Sequence, residues 1–340
     1  MASCRRRPRS RCLIISPRAR SRWCAWAMRV TPTLTPTSSS RTGPARRFLS
    51  RWPPGFRGGT SRLPRHSRPI RSTPMPELAE VEVARRNVER WWQHRCAREV
   101  RLIDPKVLRD ATPRELEDAL GRRLVAMHRR GKYLWAELEG GFALMFHFRM
   151  TGKITCEDSP EPRFARLAWR IDEAGWLVFK DPRRLGHVEV LGPGELDHYD
   201  ALQRMGPEPE DATAAGLKAA CSARRLLKSA LLDQSVVAGV GNIAISELFW
   251  RLKLPVEVRC GELDDAQWEA LAKEMPRYFD QILQRSMADE IAYLNEAGGD
   301  NIFEVYGREG EPCPRCQAPL KVARVAGRSS YYCPTCQGEP

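Results

Sequence analysis

Two pairs of cysteines near the C-terminus constrain the fold of this chain more than any other feature. Each pair has two residues between its members, and sixteen residues separate the pairs, which are Cys313 with Cys316 and Cys333 with Cys336. Such pairs let four thiolates converge tetrahedrally on Zn²⁺, and a closed four-cysteine site is structural rather than catalytic. Because residues 320–325 and 330–332 have strand-forming patterns, we expect a zinc-ribbon hairpin with one zinc ion, whose turn presents Arg328 to a partner.

The other cysteines give no disulfide framework. The chain contains eleven cysteines, and those outside the two pairs are scattered singly along it. An odd total with this spacing is typical of proteins from a reducing compartment such as the cytoplasm. No run of about 18 apolar residues is present, so the sequence predicts no membrane-spanning helix.

The positive charge is concentrated at the N-terminus. The whole chain has a formal net charge of +14, yet residues 1–75 contain 18 arginines and no lysine, aspartate or glutamate. The remaining residues, 76–340, contain 38 basic and 42 acidic side chains, which gives them a formal net charge of −4. The overall charge therefore does not identify a nucleic-acid-binding domain, and any surface that binds an anionic partner has to be a local patch.

Residues 1–74 are rich in Arg, Ser and Pro and lack apolar periodicity, which predicts disorder. Three interpretations compete for this leader: an organelle-targeting peptide, a basic arm that adds non-specific affinity for nucleic acid, and a translation start assigned too far upstream. We favour the third, because arginine without any lysine is typical of translated GC-rich DNA. We therefore expect the leader to be absent from the mature protein.

The rest of the chain divides into three regions by its periodicity. Residues 75–205 combine one amphipathic helix at the start with eight short strands, predicted at 98–103, 124–128, 133–138, 143–148, 154–156, 167–171, 176–179 and 187–191. Residues 206–304 are predicted to be helical at 212–221, 226–232, 243–250, 264–272 and 276–286. Residues 305–340 contain the ribbon. The predicted fold class is α+β and multidomain, with a β-sandwich, a helical domain and a zinc ribbon.

Six short motifs occur in order ahead of the last cysteine pair, at residues 76–82, 130–134, 147–152, 181–184, 239–243 and 305–308. Together with the cysteine pairs, they resemble the formamidopyrimidine-DNA glycosylase / endonuclease VIII family, and the first-named branch more closely. The resemblance extends from Pro76 to Cys336. It implies an N-terminal β-sandwich, a helix–two-turn–helix domain and a zinc finger, with DNA in the cleft between the two halves.

The resemblance also implies the nucleophile. In the family, the secondary amine of an N-terminal proline attacks C1′ of a damaged nucleotide, the base departs, and the resulting iminium acts as an electron sink. Loss of a C2′ proton then releases the 3′ phosphate by β-elimination, and the 5′ phosphate follows by δ-elimination. The matching residue is Pro76, which needs a free amine, either through translation from Met75 or through cleavage after it. Taken alone, Pro76 is also an ordinary first-turn proline of a helix.

Four further side chains match positions in the catalytic centre of the family. Glu77 corresponds to the acid that protonates the deoxyribose ring oxygen, and Lys132 to a lysine that contacts phosphate and assists β-elimination. Arg328 corresponds to the finger arginine that grips the phosphates flanking the lesion and assists δ-elimination. Glu80 matches a position near the lesion pocket. Without the resemblance, Glu77 is an ordinary first-turn acid and Lys132 a surface lysine of a strand.

Three residues correspond to the side chains that fill the space left by a flipped-out nucleotide. They are Met150, Arg183 and Leu185, and the last of them is a phenylalanine in the family. A leucine still wedges between bases but loses aromatic stacking. The chain also departs from the family at Phe164, where a DNA-contacting histidine is usual.

The remaining matches concern the DNA backbone. His147 corresponds to a histidine that contacts it, and Asn242 lies in the turn that binds phosphate at a helix N-terminus. Asn242 is also a good helix N-cap, and both roles can hold together. Arg224 and Lys228, just upstream, are expected to add positive charge to this DNA-binding surface.

One segment bears on the substrate. Members of the family that excise 8-oxoguanine carry a long flexible loop before the motif at 305–308, whereas residues 287–304 are few and lack its glycine-rich sequence. This argues against a preference for 8-oxoguanine. Formamidopyrimidines, oxidised pyrimidines and abasic sites remain as expected substrates.

The leading hypothesis is a bifunctional DNA glycosylase and AP lyase of base excision repair, acting as a monomer on damaged double-stranded DNA at a bacterial nucleoid. A second hypothesis is a lyase that acts mainly on abasic sites or oxidised pyrimidines. A third, from another functional class, is a non-catalytic protein that binds damaged DNA. The presence of Pro76, Glu77, Lys132 and Arg328 favours an enzyme, because a binding protein need not retain them.

Overall fold

A computed structural model of the protein describes residues 76–285 and 301–340. The predicted leader, and all but the last four residues of the segment 287–304, lie outside these ranges, so the expectations about them stay predictions. Within the described ranges, no helix has both the length and the apolar character needed to cross a membrane.

Nine strands form the two sheets of the N-terminal half. They are β1 (Glu99–Leu102), β2 (Leu108–Arg109), β3 (Leu124–Arg130), β4 (Tyr133–Leu138), β5 (Phe142–His147), β6 (Lys153–Glu157), β7 (Ala165–Ile171), β8 (Gly175–Lys180) and β9 (His187–Leu191). One sheet has the order β1-β7-β8-β6 and the other β2-β9-β5-β4-β3. All neighbours are antiparallel except β2 and β9. The predicted sandwich is confirmed, and the short parallel strand β2 is an addition to it.

Large aromatic side chains fill the space between the sheets. Alternate residues of β4 are buried, as expected of a strand with one face on a core. Phe146 of β5 stacks on Trp169 of β7 with 5.8 Å between ring centroids, so the two sheets meet face to face. Trp92 lies 5.5 Å from the same Trp169 ring. It ends helix α1 (Leu78–Trp92), which packs against β3 and is the predicted opening helix.

A second helix, α2 (Pro113–Leu120), was missed by the sequence reasoning. Its signal is present, because Thr112 and Glu115 form a capping box and Pro113 occupies the first turn. The backbone N–H of Thr112 donates to the Glu115 carboxylate over 2.7 Å. Its apolar periodicity extends over only two turns, too few to be distinguished from a loop between strands.

The helical part contains α3 (Asp200–Gln203), α4 (Ala214–Ala220), α5 (Leu227–Leu232), α6 (Asn242–Leu252) and α7 (Asp265–Arg285). The prediction of two helices at 264–272 and 276–286 was wrong, because α7 runs through Pro276 without a break. A proline here removes one backbone hydrogen bond. The helix continues because Leu271 before it and Phe279 after it are both buried in the helical core.

The C-terminal part is a hairpin of β10 (Lys321–Val325) and β11 (Arg328–Tyr332), followed by the short helix α8 (Pro334–Gln337). Ala326 and Gly327 form the turn with φ angles of 52° and 72°, and Val325 pairs with Arg328. The predicted ribbon is confirmed. Arg328 is the first residue of β11, however, and not a residue of the turn.

A buried carboxylate joins α6 to the chain that leads into the ribbon. Glu247 of α6 is fully buried and accepts hydrogen bonds from the backbone N–H groups of Glu304, Val305 and Tyr306, each over 2.9 Å. Burial raises the pKa of this carboxyl. Loss of the carboxylate would remove the acceptor of all three N–H groups.

We therefore predict that Glu247→Ala lowers the free energy of unfolding by about 3 kcal/mol or more, since it leaves buried donors unsatisfied. Denaturant unfolding followed by tryptophan fluorescence measures the change. Glu269→Ala, on the exposed side of α7, is the matched control and should change stability by less than about 0.5 kcal/mol. Equal effects of the two substitutions would contradict the prediction.

Candidate active site

Pro76 and Glu77 lie at the point where the sandwich meets the helical part. Both are buried. The Glu77 carboxylate accepts hydrogen bonds from the backbone N–H groups of Ile243, over 2.8 Å, and Ala244, over 3.0 Å. These are free donors of the first turn of α6, where the helix dipole favours negative charge. Pro76 is therefore held directly beside the N-terminus of α6.

Burial decides the protonation of Glu77. It raises the pKa of this carboxyl to about 7, with Glu80 adding to the increase and Lys132 opposing it. Glu80 accepts a hydrogen bond from the Glu77 backbone N–H over 3.0 Å, and burial also raises its pKa. Glu77 can therefore be protonated near neutral pH, as a proton donor must be.

Two glycines allow this close approach. A Cβ atom at Gly241 would lie 2.3 Å from the Glu77 carboxyl carbon, and one at Gly239 would lie 2.7 Å from the Leu78 side chain. Gly239 also has a φ of 81°, and its carbonyl accepts the Leu78 backbone N–H over 3.2 Å. Larger residues at these positions would push Pro76 away from α6.

Lys132 lies on the turn between β3 and β4 and faces this cluster. It is 8% exposed. Burial lowers its pKa, and Arg328 lowers it further, while Glu77 and Glu80 act in the opposite direction. The structure thus brings together four of the residues selected from the sequence, which are Pro76, Glu77, Glu80 and Lys132.

The turn that carries Lys132 is braced by Glu208, a residue that was not selected from the sequence. Its carboxylate accepts the Gly131 backbone N–H over 2.7 Å and also binds Arg129, over 2.7 Å, and Arg130, over 3.1 Å. The sequence contains an acidic residue that can pair with two adjacent arginines, but these ion pairs join residues almost eighty positions apart. Sequence patterns alone do not reveal such a partner.

The hairpin that carries Arg328 is fastened to α5 and α6 by polar contacts to one strand. The carbonyl oxygen of Ser329 accepts from the Lys228 ammonium over 3.0 Å and from the Asn242 side-chain amide over 2.9 Å. Lys228 also donates to the Ser330 hydroxyl over 2.5 Å. Arg328 itself is exposed, next to these anchors.

These contacts alter two expectations. Lys228 is only 1% exposed, and burial lowers its pKa to about 8, with Arg328 contributing. A direct contact with DNA phosphate would require it to leave its partners on β11. Asn242 is the first residue of α6, and Gly241 occupies the N-cap position, so the N-cap role expected for Asn242 was wrong. Its side chain instead reaches the hairpin.

The four cysteines of the ribbon converge on one point. Their sulfur atoms all lie within 4.8 Å of one another, with 3.4 Å between Cys316 and Cys333 and 4.0 Å between Cys313 and Cys336. A tetrahedral zinc with bonds of about 2.3 Å places its sulfurs about 3.8 Å apart. The residues therefore fit one structural zinc ion. Trp250 donates its indole N–H to the Cys313 sulfur over 3.4 Å, which ties the site to α6.

A second group of predicted residues lies on two loops at one rim of the sandwich, around the buried Asp181. Its carboxylate accepts the backbone N–H groups of Arg183, over 3.1 Å, and Leu185, over 2.7 Å, and the Thr151 hydroxyl. Arg183 and Leu185 are exposed, and Met150, beside Thr151, is partly exposed. Asp181 thus holds in place the two loops that carry Met150, Arg183 and Leu185. The side chains of these three residues, which are predicted to fill the space left by a flipped-out nucleotide, face outward.

His147 lies at the end of β5 beside this rim. Its Nδ1 accepts the Arg149 backbone N–H over 3.0 Å. Burial lowers its pKa to about 3, and nearby cations, of which Arg149 is the largest contributor, add to the decrease. The ring is therefore neutral with its proton on Nε2, which leaves one donor for a partner such as phosphate.

Two further residues complete the comparison with the sequence. His187, missed by the sequence reasoning, stacks on His147 with 5.5 Å between centroids and contacts the Glu189 carboxylate over 3.0 Å. The stacking of the two rings follows from the strand register, because His147 of β5 pairs with His187 of β9. Arg224 is exposed ahead of α5, and its backbone carbonyl accepts from the Arg259 side chain.

Comparisons with known proteins indicate one family along most of the chain. Family models match for the formamidopyrimidine-DNA glycosylase N-terminal domain at residues 75–188, for the formamidopyrimidine-DNA glycosylase H2TH domain at 205–292, and for the zinc finger found in FPG and IleRS at 310–338. A formamidopyrimidine-DNA glycosylase of Desulforamulus reducens is 35% identical over 276 residues, which cover 77% of this chain and 99% of the relative.

Solved structures are similar over the same share of the chain. A mutant of Lactococcus lactis Fpg in complex with Fapy-dG-containing DNA is 28% identical, with a TM-score of 0.69 over 78% of this chain and 100% of that one. Lactococcus lactis Fpg bound non-covalently to DNA with an AP site is 29% identical, with a TM-score of 0.66 over 77% and 100%. The resemblance found in the sequence motifs is confirmed, and the chain belongs to the formamidopyrimidine-DNA glycosylase family.

Proposed function

We propose that the chain is a bifunctional DNA glycosylase and AP lyase of base excision repair. The observation that carries the proposal is the buried Glu77 carboxyl, held against the N-terminus of α6 beside Pro76 and opposite Lys132. The similarity to Lactococcus lactis Fpg in complex with Fapy-dG-containing DNA and with AP-site DNA supports it. We propose formamidopyrimidines and other oxidised bases in double-stranded DNA as substrates. A low preference for 8-oxoguanine stays a prediction from the sequence of residues 287–304.

The proposed reaction begins at Pro76, in a form of the chain that starts there. Its secondary amine forms a bond to C1′ as the bond from C1′ to the base breaks. The base leaves with the electron pair and takes up the proton that the amine loses. Glu77 gives its proton to the ring oxygen as the sugar opens, which leaves an iminium on Pro76. Loss of a C2′ proton then expels the 3′ phosphate, and a second elimination expels the 5′ phosphate.

Cations around the cluster suit the departing phosphates. Lys132 is buried beside Glu77. Arg328 is exposed at the start of β11, and its charge lowers the pKa of Lys132. A guanidinium binds phosphate through two parallel hydrogen bonds. We propose that Lys132 assists the first elimination and Arg328 the second. The four cysteines would hold a zinc ion whose only contribution is to make the Arg328 hairpin rigid.

The first prediction concerns the nucleophile. Borohydride reduces a Schiff base to a stable adduct, so a form that starts at Met75 and loses its methionine should be trapped on a duplex with an abasic site. Peptide mass spectrometry should place the adduct at Pro76. The form that starts at Met1 should give no such adduct, because the Pro76 nitrogen is then an amide. DNA binding without an adduct in either form would leave a non-catalytic binding protein.

A second prediction follows from the pKa of Glu77, which burial raises to about 7. The acid must be protonated and so fails as the pH rises, whereas an α-amine, with a pKa of about 8, must lose its proton. Single-turnover formation of the Schiff base, measured as the borohydride-trapped adduct, should therefore have a bell-shaped pH profile with its maximum between about 7 and 8. Glu77→Gln should slow formation of this adduct at least about 100-fold and leave a single rise to an alkaline plateau.

Glu117→Gln, at an exposed position of α2, is the matched control and should keep the bell-shaped profile. An unchanged profile in the Glu77→Gln variant would show that another group provides the proton.

The third prediction separates the two eliminations. Arg328→Ala should reduce the ratio of δ- to β-elimination product about tenfold or more, because it removes a charge-assisted contact to phosphate. Gel electrophoresis of the cleaved strand gives the ratio. Arg324→Ala removes an equally exposed arginine from the neighbouring strand β10 and should leave the ratio unchanged. A parallel loss in both variants would indicate general attraction to DNA instead.

A further inference from the structure

Two exposed apolar side chains, Phe164 and Leu185, lie on neighbouring loops of the rim of the sandwich around Asp181. Phe164 is 38% exposed and Leu185 is 45% exposed, and they are two of only four large apolar side chains with such exposure in the described part of the chain. Because both lie at the rim that Asp181 braces, they form a candidate surface for contact with a partner.

One residue ties the two loops together. The backbone N–H of Asp181 donates to the carbonyl of Phe164 over 3.0 Å, and its carboxylate accepts the backbone N–H of Leu185 over 2.7 Å. The carbonyl of Asp181 also accepts the Arg166 guanidinium over 2.9 Å. Phe164 therefore belongs to the same braced rim as Leu185, although the two are twenty-one positions apart in the sequence.

The backbone holds Phe164 outward at a cost. Its φ angle of 69° lies in the left-handed region, which is unfavourable for a bulky side chain. The Arg163 guanidinium lies 4.5 Å from the centroid of the Phe164 ring, so the ring is presented next to a positive charge. An aromatic face beside a guanidinium suits a nucleic acid, because every base has a π face and every nucleotide carries a phosphate.

We propose that Phe164 stacks on a DNA base that loses its neighbour when the damaged nucleotide is flipped out, and so supplies the aromatic contact that Leu185 lacks. The inference rests on the proposed function and on the prediction, from the family resemblance, that Met150, Arg183 and Leu185 fill the vacated space. It adds the loop of Phe164 to the two loops that carry those three side chains. Leu185 separates the bases, and Phe164 provides the flat surface on which one of them rests.

The test compares substitutions that keep or remove the aromatic ring. Binding is measured on duplexes with a tetrahydrofuran abasic analogue, which cannot be cleaved, and with 2-aminopurine either opposite the analogue or next to it. Phe164→Leu should weaken binding roughly 5- to 150-fold, the range expected for the loss of one base–aromatic stack. Phe164→Tyr should stay within about twofold of the unsubstituted protein, because a phenol ring stacks equally well.

Fluorescence gives a second readout that loss of general affinity would not produce. With saturating protein, stacking should quench 2-aminopurine in at least one of the duplexes for the unsubstituted protein and Phe164→Tyr, but not for Phe164→Leu. Val125→Ala, which truncates a 50% exposed apolar side chain of β3, is the control and should change neither binding nor fluorescence. The proposal is overturned if Phe164→Leu matches the unsubstituted protein in both measurements.

Borohydride trapping separates this inference from the proposed function. If Pro76 is trapped on abasic DNA and Phe164→Leu still binds and quenches normally, only the role of Phe164 is wrong. If trapping fails at Pro76 although the tyrosine and leucine variants differ in binding as expected, the enzymatic proposal fails and Phe164 remains a DNA contact.

Discussion

The hydrogen bonds from the first turn of α6 to the Glu77 carboxylate join the N-terminal segment to the helical part. They place Pro76 beside the helix N-terminus and leave Glu77 without access to water. Gly239 and Gly241 exist in this turn because a side chain at either position would overlap the segment. The placement of Pro76 thus depends on one carboxyl group at a helix end.

Burial gives that carboxyl its chemical character. The free N–H groups of a helix favour the charged form, yet removal from water opposes it more strongly, and the pKa of Glu77 rises to about 7. The same removal from water lowers the pKa of Lys132, and each group partly offsets the shift of the other. For Glu77, both protonation states are therefore available near neutral pH.

Much of the fold could be predicted from the sequence, because its signals are local. Alternating apolar residues predicted the strands, the helical spacing predicted α1, and the cysteine pairs predicted the ribbon. Helix α7 was predicted as two pieces, since a proline in a periodic segment carries no information about the packing that overrides it. The partners of Lys228, Asn242 and Glu208 could not be predicted, because each contact joins residues distant in the chain.

At the rim of the sandwich, Asp181 holds the backbone of the loops in place, whereas other residues form the exposed surface. The carboxylate of Asp181 binds backbone N–H groups and one hydroxyl, and its own N–H binds the carbonyl of Phe164, while the side chains that face outward take no part in these contacts. Residues such as Leu185 and Phe164 can therefore be exchanged over evolutionary time without rebuilding the loops that carry them. A lineage could adjust how it inspects DNA by changing only these outward positions, whereas loss of the Asp181 carboxylate would release the loop of Thr151 and the loop of Leu185 together.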